Sequence, residues 1–384
     1  MKTMKTKFTA LVAIFAALVS CGPDYEKPVE ASQVGFAVDF FKSVNAVEPK
    51  NCNVVVSPYS AAVALSMLAE GAEGQTKAEF NKALENILYK AEDLGNNDTI
   101  TIKSANSLWI DDNFSPRNRY VSLLEKDFDA FVDVENFASP VAMQAINNWC
   151  REHTNGKITE IVDRLDPSTV MVLVNALYFN ASWENEFDSA LTSEQTFHGV
   201  SGDSKVKLMC SKGYYMYAES QGFQIIQLPY EGLKYAMYVV LPPEGSDINK
   251  LISKMDPTAY LSAINMLSQQ QVRLFLPRFK VETSMILNKS LQNMGIKSAF
   301  TSAADFSGIA EMGPLVLDQV KQKCYIDVTE KGTEAAAVTS AQIRLTSVRP
   351  PAQLPVMRVD RPFVFVLADA ENKNILFVGK IVNL

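Results

Sequence analysis

Two histidines, His153 and His198, are the only imidazole side chains that the 384-residue chain offers for acid–base chemistry. His153 lies in a stretch whose apolar residues recur at helical spacing, and His198 stands at the edge of a strand-like run. Neither histidine has a serine and a carboxylate in its sequence neighbourhood that suggest a nucleophilic triad. Motifs of serine hydrolases, zinc peptidases and phosphate-binding loops are also missing. We therefore predict that the protein is not an enzyme.

Cys21 is the cysteine whose sequence setting indicates chemistry. A lysine-rich lead precedes an apolar run over residues 10–19, which is too short to span a bilayer and fits a secretory signal. The run ends in LVSC, residues 18–21, which resembles a bacterial lipobox. We expect a signal peptide over 1–20, a lipid on Cys21 and a polar tether within 21–33. The protein would then be exported and anchored to a bacterial membrane, facing the periplasm or the cell surface.

The other cysteines are scattered along the chain and show no C-x-x-C spacing, so they do not fit a zinc site. They are Cys52, Cys150, Cys210 and Cys324. Isolated thiols are the simpler interpretation, although an exported protein could pair some of them. The sequence predicts neither a metal nor a cofactor.

The bulk composition is that of a globular protein with a sizeable core, since 47% of the residues are hydrophobic and 21% are charged. The net charge of −7 leaves no basic excess to meet a phosphate backbone. This composition excludes a nucleic-acid-binding role.

Helical patterns dominate the first half of the chain and strand patterns the second. The cap and proline at Ser57-Pro58 predict a helix that Gly71 ends. The apolar run TVMVLVNALYFNASW, residues 169–183, predicts a strand buried on both faces. A late helix is predicted in SMILNKSLQNMG, residues 284–295, and a closing hairpin over 361–384. This order is typical of an α+β fold.

The segment EKGTEAAAVTSAQIRLTSVRPPAQLP, from Glu330 to Pro355, is neither a clear helix nor a plain loop. A strand alternates its faces with period two. One alternate set, from Thr333 to Leu345, carries no charge and is mostly small, whereas the other contains Glu334 and Arg344. This is the pattern of a strand with one face against helices and the other toward solvent. A flexible Ala/Thr/Ser linker would have a similar composition.

Eight stretches, in the family's order, resemble the serpins over about residues 34–384. They are NVVVSPYSAAVALSMLAEGAEGQT, INNWCREHTNGKI, LVNALYFNASWENEF, LPYEGLKYAMYVVLP, LPRFKVETSMILNKSLQNMGI, ADFSGI, EKGTEAAA and RPFVFVL with NILFVGKIVNL. The resemblance implies a single α+β domain over 34–384. Its helices would pack on a large, mostly antiparallel central sheet with smaller sheets beside it, and a reactive loop would be exposed at about 330–355.

This resemblance implies a suicide inhibitor of serine endopeptidases, and of cysteine endopeptidases as a second class. The protease would cut the loop, and insertion of the cut loop into the central sheet would trap the covalent acyl-enzyme. Its partner would be an elastase-like, trypsin-like or papain-like protease, and the inhibitor would be a monomer. The alternative is a non-inhibitory serpin that acts as a cleavable substrate, a carrier or a binding protein.

The family's spacing from Glu330 places the reactive bond at Thr346-Ser347, which suits an elastase-like protease. Arg344-Leu345 would suit a trypsin-like enzyme, and Leu345-Thr346 a chymotrypsin-like or cathepsin-like one. The segment before RPFVF is a few residues longer than the family norm, so these alternatives stay open.

Three control regions also follow from the resemblance. The hinge comprises Glu330, Gly332, Thr333, Glu334, Ala335, Ala336 and Ala337. The shutter beneath the central sheet comprises Ser57, Ser60, Asn175 and Gln322, with Gln322 at the position of the family's usual histidine. The breach, where the loop would enter the sheet, comprises Trp183, Arg278 and Glu330.

Overall fold

A computed structural model describes residues 29–91, 94–97, 99–166, 168–310, 315–333 and 354–384, with side chains from residue 33 onward. Several of the predicted sites lie outside these residues: Cys21, Glu334, Ala335, Ala336, Ala337, Arg344, Leu345, Thr346 and Ser347.

The described residues form eight α-helices. They are α1 (Val29–Val47), α2 (Pro58–Gly71), α3 (Gly74–Ala83), α4 (Asn118–Phe128), α5 (Pro140–His153), α6 (Ile248–Ser253), α7 (Pro257–Asn265) and α8 (Asn288–Asn293). The predicted start of α2 is confirmed, because the Ser57 side chain accepts a hydrogen bond from the Ser60 amide and Pro58 takes the first helical position. None of the described helices has the length and apolar character needed to cross a membrane.

The same residues form fifteen strands. They are β1 (Val54–Val56), β2 (Ile100–Asp111), β3 (Phe131–Glu135), β4 (Met171–Ser182), β5 (Ser193–Gly199), β6 (Gly202–Ser220), β7 (Phe223–Pro229), β8 (Tyr235–Leu241), β9 (Ser268–Pro277), β10 (Phe279–Ile286), β11 (Gln319–Val328), β12 (Gly332–Thr333), β13 (Val356–Arg358), β14 (Phe363–Asp369) and β15 (Ile375–Ile381).

Two sheets account for all of the described strands. The central sheet has the order β10-β11-β12-β4-β2-β3, and β11 also pairs directly with β4. The second sheet has the order β1-β15-β14-β8-β7-β6-β9-β13, with β5 paired to β6. The predicted closing hairpin is confirmed as the antiparallel pair β14–β15.

The central sheet is covered on both faces, which explains the continuous apolar run of β4. Leu173, Leu177 and Phe179 join the main core, which also contains α2 and the second sheet. Val172 and Val174, which alternate with these residues along the strand, join a separate cluster beneath α5. The prediction of a strand buried on both faces is therefore confirmed.

Three element boundaries differ from the sequence prediction. The predicted late helix is shorter, because residues 284–286 continue β10 and pair with β11, so that α8 begins only at Asn288. The helix α1 begins at Val29, within the stretch predicted as a tether. The two strand-like stretches KVKLMC (205–210) and YYMYAE (214–219) form one long strand, β6, which joins the expected smaller sheets into a single hydrogen-bonded sheet.

Candidate functional site

The middle of the central sheet contains two parallel strands that separate along their length. β4 and β11 pair directly from Val172, which lies opposite Gln319, to Leu177, which lies opposite Cys324. Beyond this point β12 lies between them, because Thr333 pairs with both Val328 and Ala181. β12 is antiparallel to both strands.

The register of β4 against β11 is the same in the paired and the separated parts. Asn175 lies level with Gln322 where the strands pair, and Ala181 lies level with Val328 where Thr333 is between them. A further antiparallel strand could therefore continue from β12 without a change of register, with each of its residues level with one residue on either side.

The predicted shutter residues meet at the start of α2. The Gln322 side chain accepts a hydrogen bond from the Ser57 amide (3.0 Å) and donates to the Ser57 carbonyl (2.9 Å) and to Asn175 Oδ1 (2.7 Å). Asn175 Nδ2 donates to the Ser60 carbonyl and hydroxyl at 2.9 and 2.5 Å. All four residues are buried. The side-chain amides of Asn175 on β4 and Gln322 on β11 are thus hydrogen-bonded to each other and to the first residues of α2 and its cap.

Gln322 pairs with the backbone of Ser57 as a peptide group would, since it uses one donor and one acceptor on the same residue. Its second amide hydrogen then remains for Asn175. Moving β4 away from β11 must break the Gln322–Asn175 bond, which would leave buried polar groups unpaired unless another group replaces it.

Two further polar residues belong to this network and were missed by the sequence analysis. Asn106 of β2 accepts a hydrogen bond from Asn175 Nδ2 (2.5 Å), and the Ser104 hydroxyl lies 3.4 Å from the Ser60 hydroxyl. Asn106 and Asn175 lie together because they are opposite each other in the neighbouring strands β2 and β4. No local pattern distinguishes them from other polar residues of a strand.

The predicted breach residue Trp183 follows β4 and is buried. Its amide donates to the Lys331 carbonyl (2.8 Å), and its indole N–H donates to the Thr329 carbonyl (3.0 Å). The indole also stacks on Tyr230, with ring centroids 4.5 Å apart. Trp183 therefore ties the end of β4 to the turn between β11 and β12.

Glu330 lies in that turn and forms an ion pair with Arg278, another of the predicted breach residues. Arg278 Nε is 2.6 Å from Glu330 Oε2, and the Thr192 hydroxyl donates to Oε1 at 2.6 Å. The Glu330 side chain is only 7% exposed. Burial alone would raise the pKa of Glu330, but the hydrogen bonds from Arg278 and Thr192 outweigh it and hold this pKa below its ordinary value.

Gly332 is required by the close approach of β4. A Cβ atom at this position would lie 2.1 Å from the Ala181 carbonyl oxygen and 2.7 Å from the Ser182 Cα. The next residue, Thr333, is fully buried, and its hydroxyl lies 2.6 Å from the Tyr230 hydroxyl. These contacts give Gly332 of the predicted hinge a steric role, and Tyr230 is a further residue of this site that was not predicted.

The face of β11 opposite the main core lies beneath the segment that follows α5. Lys321 and Lys323 are buried on this face. Lys321 Nζ is 3.0 Å from Asp163 Oδ1, and Lys323 Nζ donates to the Glu160 carbonyl at 2.6 Å. We call α5 and residues 158–165 the α5 cover, since together they lie over the paired part of β4 and β11.

The side chains that were considered for other chemistry lie apart from this site. His153 stacks on Trp149, and His198 forms an exposed pair with Asp203. Within the part of the chain that the structure describes, Cys52, Cys150, Cys210 and Cys324 are unpaired. The described residues contain no group of histidine, cysteine and acidic side chains that could hold a metal ion.

Comparisons with known proteins agree on one family. The family model described as "Serpin (serine protease inhibitor)" matches residues 31–384. An uncharacterized serpin-like protein of Thermococcus kodakarensis is 32% identical and covers 93% of this chain and 86% of its own. The leukocyte elastase inhibitor of Sus scrofa is 31% identical, with 92% and 98% covered. The crystal structure of the thermophilic serpin Tengpin in its native state has a TM-score of 0.86 at 31% identity, with 97% and 98% covered.

We predict that Gln322→His makes stability depend on pH between 5 and 7. A neutral imidazole has one donor and one acceptor, so it cannot replace the three hydrogen bonds of Gln322, and the loss should be about 1–3 kcal/mol at pH 8. Burial lowers the pKa of a histidine below about 6.5, so the unfolded chain binds more protons below that pH and the variant should lose further stability as the pH falls. Urea unfolding at several pH values measures both effects. If the stability of the wild type and of the variant changed in parallel with pH, the predicted further loss at low pH would be contradicted.

We predict that Glu330→Gln lowers the free energy of unfolding by about 1.5–3 kcal/mol at pH 7, because it removes a hydrogen bond between charged groups. The pKa of Glu330 is depressed, so its contribution is complete above its ordinary pKa of about 4.3 and is lost as the pH falls below that value. The difference between wild type and variant should therefore shrink at acidic pH.

Glu184→Gln is the matched control for Glu330→Gln, since Glu184 is an exposed carboxylate near the same turn. It should change stability by less than about 0.5 kcal/mol at either pH. Equal effects of the two substitutions would show that the buried ion pair contributes nothing specific.

Proposed function

Because the chain belongs to the serpin family, we propose that it inhibits serine proteases by inserting its cleaved loop between β4 and β11, with papain-like cysteine proteases as a second target class. The observation that supports this proposal best is the position of β12. Gly332 and Thr333 of the predicted hinge form this strand, and Thr333 already lies between the two strands and pairs with both.

Continuing this register gives each loop residue a neighbour on either side. Since Thr333 is level with Val328 and Ala181, Ala335 would be level with Ile326 and Phe179. Both of these neighbours belong to the main core and are 2% exposed. The uncharged alternate set of the loop would thus be buried in the core, as its composition favours.

At the shutter the same register has a chemical consequence. Thr339 would come level with Gln322 and Asn175, whose amides now bond directly to each other. A threonine hydroxyl both donates and accepts, so it could take over the hydrogen bond that insertion must break. We propose that Thr339 compensates the opening of the shutter in this way.

The opposite face of the inserted strand would be less open to solvent than its sequence pattern suggests. Glu334 would lie level with Asp327 and Asn180, which are half-buried, so its charge could remain hydrated. Val338 would lie level with Lys323 and Ala176, beneath the α5 cover. Insertion would therefore require the α5 cover to move at least temporarily.

The trapping reaction follows from the order of two steps. The serine Oγ of the protease adds to the Thr346 carbonyl carbon and gives up its hydroxyl proton. The Thr346–Ser347 bond then breaks, and the Ser347 nitrogen takes up this proton and leaves as an amine. The remaining ester joins protease and inhibitor. If insertion carries this ester to the far end of the sheet before water attacks it, the complex persists; otherwise hydrolysis releases a cleaved substrate.

We also propose that Cys21 carries a lipid and anchors the exported protein to a bacterial membrane. The support is the LVSC stretch behind a short apolar run. A lipid-modified cysteine with more than one acyl chain gives stable membrane attachment, whereas a single chain gives only marginal binding. The inhibitor would then act on proteases near that membrane.

We predict an adduct with an elastase-like protease that survives boiling in detergent. Incubation with pancreatic elastase and with trypsin, followed by denaturing electrophoresis, detects it. Mass spectrometry of the released C-terminal fragment should find Ser347 as its first residue. A fragment that begins at Leu345 would place the bond at Arg344 instead. Complete cleavage without any adduct would favour the non-inhibitory alternative.

We predict that Ala335→Glu converts the inhibitor into a substrate. Insertion would bury an unpaired carboxylate beside Ile326 and Phe179, which costs several kcal/mol. Since about 1.4 kcal/mol changes a rate ratio tenfold, the adduct yield should fall at least about tenfold while loop cleavage continues. Glu334→Ala changes the adjacent residue on the opposite face and should preserve the adduct. Equal yields from the two variants would contradict the proposed register.

We predict that Cys21→Ala abolishes membrane attachment. Growth with labelled palmitate, followed by membrane fractionation, should show label and sedimentation for the wild type only, because the variant lacks the thiol that accepts the lipid. Cys52→Ala is the control and should behave as wild type. Labelling of the Cys21→Ala protein would disprove the lipid site.

A further inference from the structure

Tyr230, the residue that follows β7, is anchored to the end of β4. It forms an isolated antiparallel bridge with Trp183, and the Glu231 amide donates to the Ser182 carbonyl at 2.9 Å. The Tyr230 ring stacks on the Trp183 indole at 4.5 Å and meets the Phe179 ring edge-on at 5.0 Å. Because the side chain is also fully buried, its hydroxyl has a fixed position relative to β4.

The Tyr230 hydroxyl contacts the residue that lies between β4 and β11. Its oxygen is 2.6 Å from the Thr333 hydroxyl oxygen, both residues are fully buried, and neither hydroxyl has another hydrogen-bond partner among the described residues. Burial raises the pKa of Tyr230, so its hydroxyl stays neutral. If Thr333 moved out to water, the Tyr230 hydroxyl would be left buried and unpaired, which is costly. This bond therefore favours the arrangement in which Thr333 is inserted.

Gly332 fixes the register of the same short strand. A Cβ atom at this position would lie 2.1 Å from the Ala181 carbonyl oxygen. A slip by one residue in either direction would bring Lys331 or Thr333 into this place, and each of them has a Cβ atom. The same slip would take the Thr333 hydroxyl away from its partner. The close approach at Gly332 and the bond to Thr333 thus specify one register together.

We propose that Tyr230 is a positioning residue of the trapping reaction: its hydroxyl holds Thr333 between β4 and β11 before the loop is cut, so that insertion starts from a strand already in register. A fixed first residue spares the cut loop the entropic cost of bringing its chain to the sheet. The bond need not break during insertion, because β12 keeps its place while the strand extends beyond it. The inference rests on the proposed inhibitory function, in which insertion must precede hydrolysis of the ester.

The test compares Tyr230→Phe with the wild type in reaction with pancreatic elastase. The phenyl ring keeps the stacking on Trp183, but Thr333 loses its partner. The ratio of covalent adduct to cleaved inhibitor should fall about fivefold or more. The total rate of loop attack, counted as adduct plus cleaved product, should not change, because Tyr230 is fully buried and does not meet the protease. An unchanged ratio would overturn the proposal.

Three further variants separate this role from a general loss of stability. Tyr235→Phe removes another buried tyrosine hydroxyl, which donates to the Leu94 carbonyl at 2.7 Å, and it should leave the ratio unchanged. Thr333→Ser keeps the hydroxyl and should preserve the wild-type ratio, whereas Thr333→Val should match Tyr230→Phe. Combining Tyr230→Phe with Thr333→Val should lower the ratio no further than either change alone, since both remove the same bond. Additive losses, or an equal loss in Tyr235→Phe, would overturn the proposal.

Amide hydrogen exchange tests the hold on Thr333 in the intact protein, without a protease. Mass spectrometry with single-residue resolution should find that the Thr333 amide exchanges about fivefold or more faster in Tyr230→Phe than in the wild type. In Tyr235→Phe it should exchange at the wild-type rate. Unchanged exchange in Tyr230→Phe would overturn the proposal. If the wild type formed no adduct while exchange still rose in Tyr230→Phe, the inhibitory function would be refuted and the hold of Tyr230 on Thr333 would stand.

Discussion

The central constraint in this molecule is that two parallel strands, β4 and β11, are neighbours in the central sheet, whose other strand pairs are mainly antiparallel. Beyond the paired part, both strands pair with β12 instead of with each other. The strands could exchange their direct bonds for bonds to one antiparallel strand without shifting register. The shutter, the breach and the α5 cover can all be understood as contacts that set how easily this exchange begins.

These contacts differ in where they act. The Gln322–Asn175 bond joins the two strands directly, whereas Lys321 and Lys323 hold the α5 cover over β11. Glu330 and Trp183 fix the turn from which the next strand would grow. An inhibitory serpin needs all of them to hold before cleavage and to yield afterwards, faster than water hydrolyses the ester. Contacts of about 1 kcal/mol each, such as single hydrogen bonds, suit this requirement better than a continuous apolar seam would.

Local sequence patterns predicted the elements but not the site. The cap at Ser57-Pro58 and the apolar run of β4 depend on neighbouring residues, and both were predicted correctly. The shutter joins Ser57 to Gln322, which are 265 positions apart, so only the family resemblance indicated that they meet. Tyr230 and Thr192 were missed because a tyrosine at the end of a strand and a threonine just before one carry no signal of their distant partners. The α5 cover was missed for the same reason, and the second face of the loop strand was therefore assigned to solvent.

Gln322 gives the shutter of this chain a property that its relatives with histidine would not share. An amide has no proton to gain or lose between pH 5 and 8, so its hydrogen bonds to Ser57 and Asn175 keep the same donors and acceptors throughout. A histidine at this position would change its charge in that interval, and burial of the charged form would weaken the closed sheet. Between pH 5 and 8 the contact of Gln322 with Asn175, which joins β4 to β11, should thus not respond to acidity.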